Sequence, residues 1–151
     1  MKSSDSFESI LVAPCGIYCG ACSGYLRTKN RCLGCRIDSE TKPAYCKSCK
    51  IVNCELRAKT ESGFCYDCEK LPCQRMKQLD KRYKTKYNTG LIQNLTIIKE
   101  KGMITFLRLE KNKRTCTDCG SIISIHRDKC TTCNGIGIKY HNYEKIFKQR
   151  L

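Results

Sequence analysis

Regular hydrophobic spacing is confined to the middle of the chain, between residues 74 and 113. Apolar side chains recur there at intervals of three and four, as on one face of a helix. The first such series is Met76, Leu79, Tyr83 and Tyr87. Asn88-Thr89-Gly90 interrupts the pattern, and Thr89 is the predicted N-cap of a second helix. That helix carries Leu91, Leu95 and Ile98 and ends at Gly102, after which a third short helix is predicted.

On both sides of this helical middle, cysteine is dense and other apolar side chains are sparse. Eleven cysteines lie from Cys15 to Cys73 and four from Cys116 to Cys133. Without cysteine, only about 30% of the chain is apolar, which is thin for a hydrophobic core and calls for cross-links. The sequence therefore predicts a small, metal-stabilised α+β fold. It would have an irregular cysteine-rich N-terminal part, a helical middle and a C-terminal zinc-ribbon hairpin.

Three predicted units follow from this change of pattern. Residues 10–111 form a cysteine-rich metal-binding domain with a helical second half. Residues 112–138 form a zinc ribbon, and residues 139–151 form a basic helical tail with a small apolar face.

Metal ions are the predicted cross-links, in preference to disulfides. Residues 1–14 lack the apolar segment of a signal peptide, and no run is long enough for a membrane helix. We therefore expect a cytoplasmic protein without membrane contact, in a compartment where disulfides do not persist. The count of 15 cysteines is odd, and the repeated C-x2-C spacing is typical of metal-binding knuckles.

The N-terminal cysteines can be grouped in several ways. A four-thiolate zinc site is predicted from two C-x2-C pairs, formed by Cys19, Cys22, Cys32 and Cys35. A triplet of spacing C-x2-C-x4-C then occurs twice, as Cys46, Cys49 and Cys54 and as Cys65, Cys68 and Cys73.

The six cysteines of this repeat allow three zinc arrangements. All six can hold two zinc ions through bridging sulfurs. One zinc ion can instead be held by Cys46, Cys49, Cys65 and Cys68, or by Cys49, Cys54, Cys65 and Cys68. An iron–sulfur cluster in the region 15–73 is an alternative to zinc. The spacing alone does not decide among these, and three or four zinc ions are expected in the whole chain.

Several of these segments carry a family resemblance. The motifs are P-C-G-I-Y-C-G-A-C from Pro14, C-L-G-C-R from Cys32 and F-C-Y-D-C-E-K-L-P-C from Phe64. They resemble the small bacterial and archaeal proteins catalogued as domain of unknown function 3795, over a region from about Pro14 to about Leu109. The resemblance implies a metal-binding cysteine scaffold in the cytoplasm, with no established activity.

The spacing of the four C-terminal cysteines is the strongest local indication of a metal site in the sequence. Two C-x2-C pairs separated by ten residues form zinc-ribbon spacing, with Cys116, Cys119, Cys130 and Cys133 as the ligands. A small hairpin is predicted over the isoleucines at 122, 123 and 125. His126 would be a superfluous fifth ligand, so a surface position is predicted for it.

Charge suggests a partner. The chain has a formal net charge of +15, and residues 74–114 carry 12 Lys/Arg against 3 Asp/Glu. Each four-thiolate zinc centre would carry about two negative charges, so three centres would leave the chain basic. Residues 74–114 can therefore contact nucleic acid or an acidic protein, although an ordinary solvated helix face explains the same pattern.

The function predicted from these features is a zinc-binding interaction module, with a role at nucleic acid or a nucleoprotein complex. An iron–sulfur or thiol-based redox or metal-relay protein is the alternative. An enzyme with a spare cysteine nucleophile is a weaker one, because no other catalytic motif is present. The only candidate nucleophile is Cys15, which the fullest ligand scheme leaves over. A buried, inert Cys15 is the competing interpretation.

Overall fold

The computed structural model describes residues 8–37, 39–127 and 129–133. Short helical segments lie among the N-terminal cysteines, and three longer helices follow. The short segments are 3-10 turns at Ser9–Leu11, Cys19–Ala21 and Cys65–Asp67 and the helices α1 (Ser23–Leu26), α2 (Ala44–Lys47) and α3 (Glu55–Ala58). The longer helices are α4 (Gln74–Tyr87), α5 (Leu91–Lys101) and α6 (Met103–Arg114).

The described residues are mostly helical, so the α+β prediction is met only in part. Their β structure consists of two isolated antiparallel bridges, Val12 with Tyr18 and Thr115 with Ile122. The predicted zinc-ribbon hairpin is not shown beyond the second of these bridges. The predicted three-helix middle is confirmed.

Helix α4 ends where the sequence pattern breaks. Met76 on its apolar face is 1% exposed, and Leu79 and Tyr83 pack partly buried against the core. The residue after the helix, Asn88, has a φ of 49°. This left-handed conformation closes many helices, and asparagine tolerates it better than most residues.

Helix α5 is capped by a side chain from α4. The carboxylate of Asp80, which is buried, accepts hydrogen bonds from the first two backbone N–H groups of α5, at 2.8 and 3.1 Å. A carboxylate in this position satisfies free donors and interacts well with the helix dipole. The prediction that Thr89 caps α5 is wrong, because Gly90 occupies the N-cap position and the Thr89 hydroxyl donates to the Tyr87 carbonyl at 2.9 Å.

One hydrophobic core unites the helices with the cysteine-rich part. Leu91 and Leu95 of α5 and Phe106 of α6 are fully buried. They belong to the same cluster as Val12 and Tyr18, which lie on either side of Cys15, the first cysteine of the N-terminal half. The predicted packing of the helical faces on the cysteine-rich part is therefore confirmed.

A tight turn at residues 13–17 makes the closest contact between the two halves. Gly16 has a φ of 94°, and a Cβ there would lie 2.8 Å from the carbonyl oxygen of Leu91. The Gly16 carbonyl accepts a hydrogen bond from the Asn94 side chain at 2.9 Å, and the Pro14 carbonyl accepts one from the Cys65 backbone at 3.0 Å. Only glycine allows both this backbone conformation and this approach.

Residues 115–133, called the ribbon segment below, are attached to this core at two points. Arg114, at the end of α6, is fully buried; its Nε lies 3.5 Å from Glu110 and its Nη2 donates to the Thr89 hydroxyl at 3.0 Å. Ile125 lies in the main core, and its N–H donates to the Ala21 carbonyl at 2.8 Å. Helix α6 thus runs past the predicted boundary at residue 111, directly into the ribbon segment.

The predicted basic tail, residues 139–151, lies outside the described residues, as do residues 134–138 at the end of the predicted ribbon. Among the helices of the described part, none is both long and apolar enough to span a membrane.

The cap formed by Asp80 predicts a specific loss of stability. Asp80→Ala removes the acceptor for two backbone donors at the start of α5, one of them buried. We expect a loss of about 1–3 kcal/mol in the free energy of unfolding, measured by urea denaturation. Lys84→Ala is the matched control, since Lys84 pairs with Asp80 at 3.0 Å from an exposed position and should cost less than about 1 kcal/mol. Equal losses in the two variants would contradict the capping role.

Candidate metal centre

The ribbon segment brings its four cysteines together through a glycine turn. The backbone N–H of Gly120 donates to the Cys116 carbonyl at 2.9 Å, and the Cys116 N–H donates to the Ser121 carbonyl at 2.8 Å. Gly120 has a φ of 78°, which permits the chain to reverse directly after Cys119. This is the local geometry of a C-x2-C knuckle, in which both sulfurs point to one side.

The four sulfurs form a compact group. The Sγ atoms of Cys116 and Cys133 lie 3.7 Å apart and those of Cys119 and Cys130 lie 3.6 Å apart. All four lie within 4.8 Å of one another. A zinc ion bound to four thiolates at about 2.3 Å separates its ligands by ~3.8 Å. The arrangement can therefore hold one tetrahedral metal ion.

Two of these thiols are buried and two are exposed. Cys116 and Cys130 are 2% and 1% exposed, and they form a small apolar cluster with Ile123. Cys119 and Cys133 face solvent. The metal-binding position thus lies at the protein surface, with one side fixed by packing.

Hydrogen bonding prepares one exposed thiol for metal binding. The Ser121 side chain and backbone both donate toward the Cys119 sulfur and, with help from Cys133 and Cys130, lower the pKa of Cys119 to about 6. Metal ions bind the thiolate, so this donor set favours the ligand form at neutral pH. Ser121 was not among the residues predicted from the sequence; its place two residues after Cys119, at the end of the knuckle, was the available indication.

His126 lies at an internal position, so the predicted surface position is wrong. Its ring is half-buried and lies edge-on to the rings of Tyr83 and Tyr87, with centroids 5.9 and 4.8 Å away. Nε2 lies 3.2 Å from the Tyr83 hydroxyl, and Nδ1 lies 3.3 Å from both the backbone N and the hydroxyl of Ser23. Burial, followed by the charges of Arg114 and Arg127, lowers the pKa of His126. The histidine fastens the ribbon segment to α4 and α1.

The eleven N-terminal cysteines line two separate cavities. The first cavity has a volume of about 500 Å³. Its cysteines are Cys15, Cys19, Cys22, Cys32, Cys35, Cys46 and Cys49. The second cavity has a volume of about 410 Å³. Its cysteines are Cys54, Cys65, Cys68 and Cys73.

The two cavities divide the six cysteines of the sequence repeat, which the sequence suggested as one unit. Cys46 and Cys49 line the first cavity with the predicted four-thiolate set, whereas Cys54 lines the second cavity with the second triplet. Cys15, the residue left over by the fullest ligand scheme, lines the first cavity as well. The C-x3-C-x2-C spacing of Cys15, Cys19 and Cys22 was the feature of the sequence that could have indicated this position of Cys15.

In neither cavity do the cysteine sulfurs lie as close together as the four sulfurs of the ribbon segment. Within the described ranges, no other group of three or more Cys, His, Asp or Glu has all its ligand atoms within 4.8 Å of one another. One N-terminal sulfur accepts a backbone hydrogen bond, since the Cys35 N–H donates to the Cys19 sulfur at 3.4 Å. The predicted N-terminal zinc ligand sets remain predictions.

The N-terminal thiols oppose one another's ionisation. Burial raises the pKa of Cys15 far above its usual range, and the neighbouring Cys35 and Cys49 thiols raise it further. The hydrogen bond with Cys19 and burial likewise raise the pKa of Cys35. Burial raises the pKa of Cys46 to about 11 and that of Cys65 to about 12. Without a cation, these groups are therefore stable as neutral thiols.

No family model, curated protein or solved structure matches this chain.

The contrast between Cys119 and the buried thiols predicts an order of reactivity. In the metal-free protein at pH 7, iodoacetamide should alkylate Cys119 first, because a pKa of about 6 leaves this thiol mostly ionised whereas Cys46 stays protonated. Ser121→Ala should raise the pKa of Cys119 and move its rate–pH curve to higher pH. Thr117→Ala, a change at another exposed knuckle residue, is the control and should leave the curve in place.

Peptide mapping by mass spectrometry identifies the labelled residue. Zinc should protect Cys119 from alkylation. Faster labelling of Cys15 than of Cys119 would contradict this order and would favour the reactive interpretation of Cys15.

Proposed function

We propose that this protein is a zinc-binding interaction module, in which the ribbon segment holds one structural zinc ion. The observation that carries the proposal is the convergence of four cysteine sulfurs within 4.8 Å. All fifteen cysteines are free thiols, so none is withheld from metal binding by a disulfide. The resemblance of the N-terminal motifs to the cysteine-rich family named above supports the same proposal, and a reducing cytoplasm, which we propose as the location, would preserve these thiols.

An all-thiolate site favours zinc and a structural role. Soft thiolate ligands in a tetrahedron suit zinc well, and four of them leave no open position for water or substrate. Catalytic zinc sites usually keep three protein ligands and one exchangeable water. The ribbon zinc would therefore fix the backbone between Cys116 and Cys133 and shape a surface.

The partner we propose is a nucleic acid that contacts the helices between residues 74 and 114. Of the twelve basic residues there, Lys113 and Arg114 are buried, which leaves ten exposed. Of the three acidic residues, Asp80 and Glu110 are buried, so Glu100 is the exposed one. The exposed helical surface therefore keeps the full excess of nine positive charges, with a single exposed acidic residue among ten basic ones.

The contacts of the helix tyrosines favour binding to phosphates over stacking on bases. Tyr83 and Tyr87 are half-buried and pack against each other with ring centroids 5.0 Å apart, and both contact His126. Rings held in this way are poorly placed to stack on nucleotides. Binding that depends on Lys and Arg alone is electrostatic and weakly dependent on sequence.

Cobalt titration of the full chain tests the zinc site. Cys130→Ser removes a buried ligand, and we expect the variant to bind one tetrahedral Co²⁺ fewer than the unchanged protein, with a matching loss of thiolate-to-cobalt absorption. Thr131→Ala, at an exposed position beside Cys130, is the control and should keep the full signal. An unchanged cobalt stoichiometry in Cys130→Ser would overturn the zinc assignment.

The salt dependence of nucleic-acid binding tests the partner. A triple variant, Lys77→Gln, Lys81→Gln and Lys86→Gln, changes exposed residues of α4 without disturbing Asp80. We expect weaker binding and a flatter slope of log K against log salt, by roughly 0.9 per lost contact on duplex DNA.

The control variant has the same change of net charge elsewhere: Lys29→Gln, Lys47→Gln and Lys59→Gln, all exposed. It should keep the slope of the unchanged protein. The same flattening in both variants, or no binding at low salt, would contradict an interface on these helices.

A further inference from the structure

The first cavity concentrates metal-binding side chains that the ribbon zinc site does not use. Seven of the fifteen cysteines line it, and its described lining contains no carboxylate. The other side chain of metal-binding type is His126, whose Nε2 faces the Tyr83 hydroxyl at 3.2 Å and whose Nδ1 faces Ser23 at 3.3 Å. A metal group in this cavity would therefore be held by thiolates alone.

The sulfurs of this cavity do not converge as closely as those of the ribbon segment. A single tetrahedral zinc ion needs sulfurs separated by ~3.8 Å. The ribbon segment meets this condition, with separations of 3.6 and 3.7 Å. In the first cavity, no three of the seven sulfurs all lie within 4.8 Å of one another. A cluster of several metal ions separates its thiolate ligands more widely, because each ligand binds a different ion.

The size and walls of the cavity suit a multi-atom group. Its volume is about 500 Å³, and its wall includes apolar side chains of the main core. Ile17, Ile51 and Leu79 contribute to this wall. An apolar surrounding limits access of solvent, which is one of the properties that set the behaviour of iron–sulfur clusters.

Backbone N–H groups are directed at three of the sulfurs. The Cys35 N–H donates to the Cys19 sulfur at 3.4 Å. The backbone at Ile17 donates toward the Cys15 sulfur, and the backbone at Gly24 donates toward the Cys22 sulfur. Hydrogen bonds of this kind stabilise thiolates and tune bound clusters. They are also the reason why an anionic cluster can lie in an otherwise apolar cavity.

Among the first-cavity cysteines, Cys35 recurs as an interaction partner of the others. Its thiol interacts electrostatically with Cys15, Cys19 and Cys49. It also interacts with Cys22 and Cys46. Any cluster that draws four thiolates from this cavity therefore has Cys35 within reach.

We propose that the first cavity binds an iron–sulfur cluster through cysteine thiolates, with Cys35 as one ligand. The three other proposed ligands are Cys15, Cys19 and Cys49, which interact with Cys35 and complete the four-cysteine ligand set of such clusters. This site uses none of the four ribbon cysteines. The protein would then hold two kinds of metal centre, one in the ribbon segment and one in the first cavity.

The test uses full-length protein reconstituted with iron and sulfide in the absence of oxygen. We expect equal amounts of iron and acid-labile sulfide, and a broad visible absorption that dithionite bleaches. Cys35→Ser should lose most of the iron, the sulfide and the absorption. Cys119→Ser, a change at the exposed ribbon cysteine, is the matched control and should keep all three. Retention of the full iron and sulfide content in Cys35→Ser would overturn the proposal.

Two further measurements separate loss of the cluster from loss of the fold, and binding of an iron–sulfur cluster from binding of zinc. A helical circular dichroism signal and a cooperative urea transition like those of the unchanged protein report that Cys35→Ser is folded. In the unchanged protein, iron with sulfide should protect the first-cavity cysteines from alkylation, whereas zinc alone should protect the ribbon cysteines. Equal protection of the first-cavity cysteines by zinc, with no uptake of sulfide, would also overturn the proposal.

Discussion

The turn at residues 13–17 is the contact on which the arrangement of the whole chain depends. In three consecutive residues it presents the Pro14 carbonyl to Cys65, the Cys15 thiol to the first cavity, and the Gly16 carbonyl to Asn94 of α5. A side chain at position 16 would push α5 away, because the Leu91 carbonyl already lies in contact distance. The helical core and both cysteine cavities are therefore positioned from one short stretch of backbone.

Cysteine has two roles in this fold, and they conflict. As apolar side chains, Cys15, Cys19 and Cys65 complete a core that has few other residues to fill it. As ligands they must ionise, which burial and neighbouring thiols oppose. Bound metal ions would resolve the conflict, because they would supply the positive charge that a buried thiolate lacks. The ribbon segment avoids the conflict in part by keeping Cys119 and Cys133 at the surface.

The sequence predicted those features that depend on local spacing. Apolar residues at helical intervals identified α4, α5 and α6, and the two C-x2-C pairs identified the four sulfurs that converge in the ribbon segment. Features that depend on distant contacts could not be found in this way. The cap of α5 comes from Asp80, eleven residues before the first donor it binds, and His126 is fastened to Ser23 across more than a hundred residues. Likewise, the repeat around Cys46 and Cys65 is regular along the chain, but folding distributes its members between two cavities.

The attachment of the ribbon segment has a consequence for how the two ends of the chain communicate. Ile125 binds the carbonyl of Ala21, and His126 binds Ser23, so the ribbon segment holds the residues on both sides of Cys22. Any event that orders the ribbon segment also restricts the backbone at the rim of the first cavity. By thermodynamic reciprocity, any stabilisation that metal in the ribbon segment would give to this rim equals the stabilisation that ordering the rim would give to metal binding. Residues more than a hundred positions apart in sequence are thus joined by direct hydrogen bonds, while the two regions keep separate sets of cysteines.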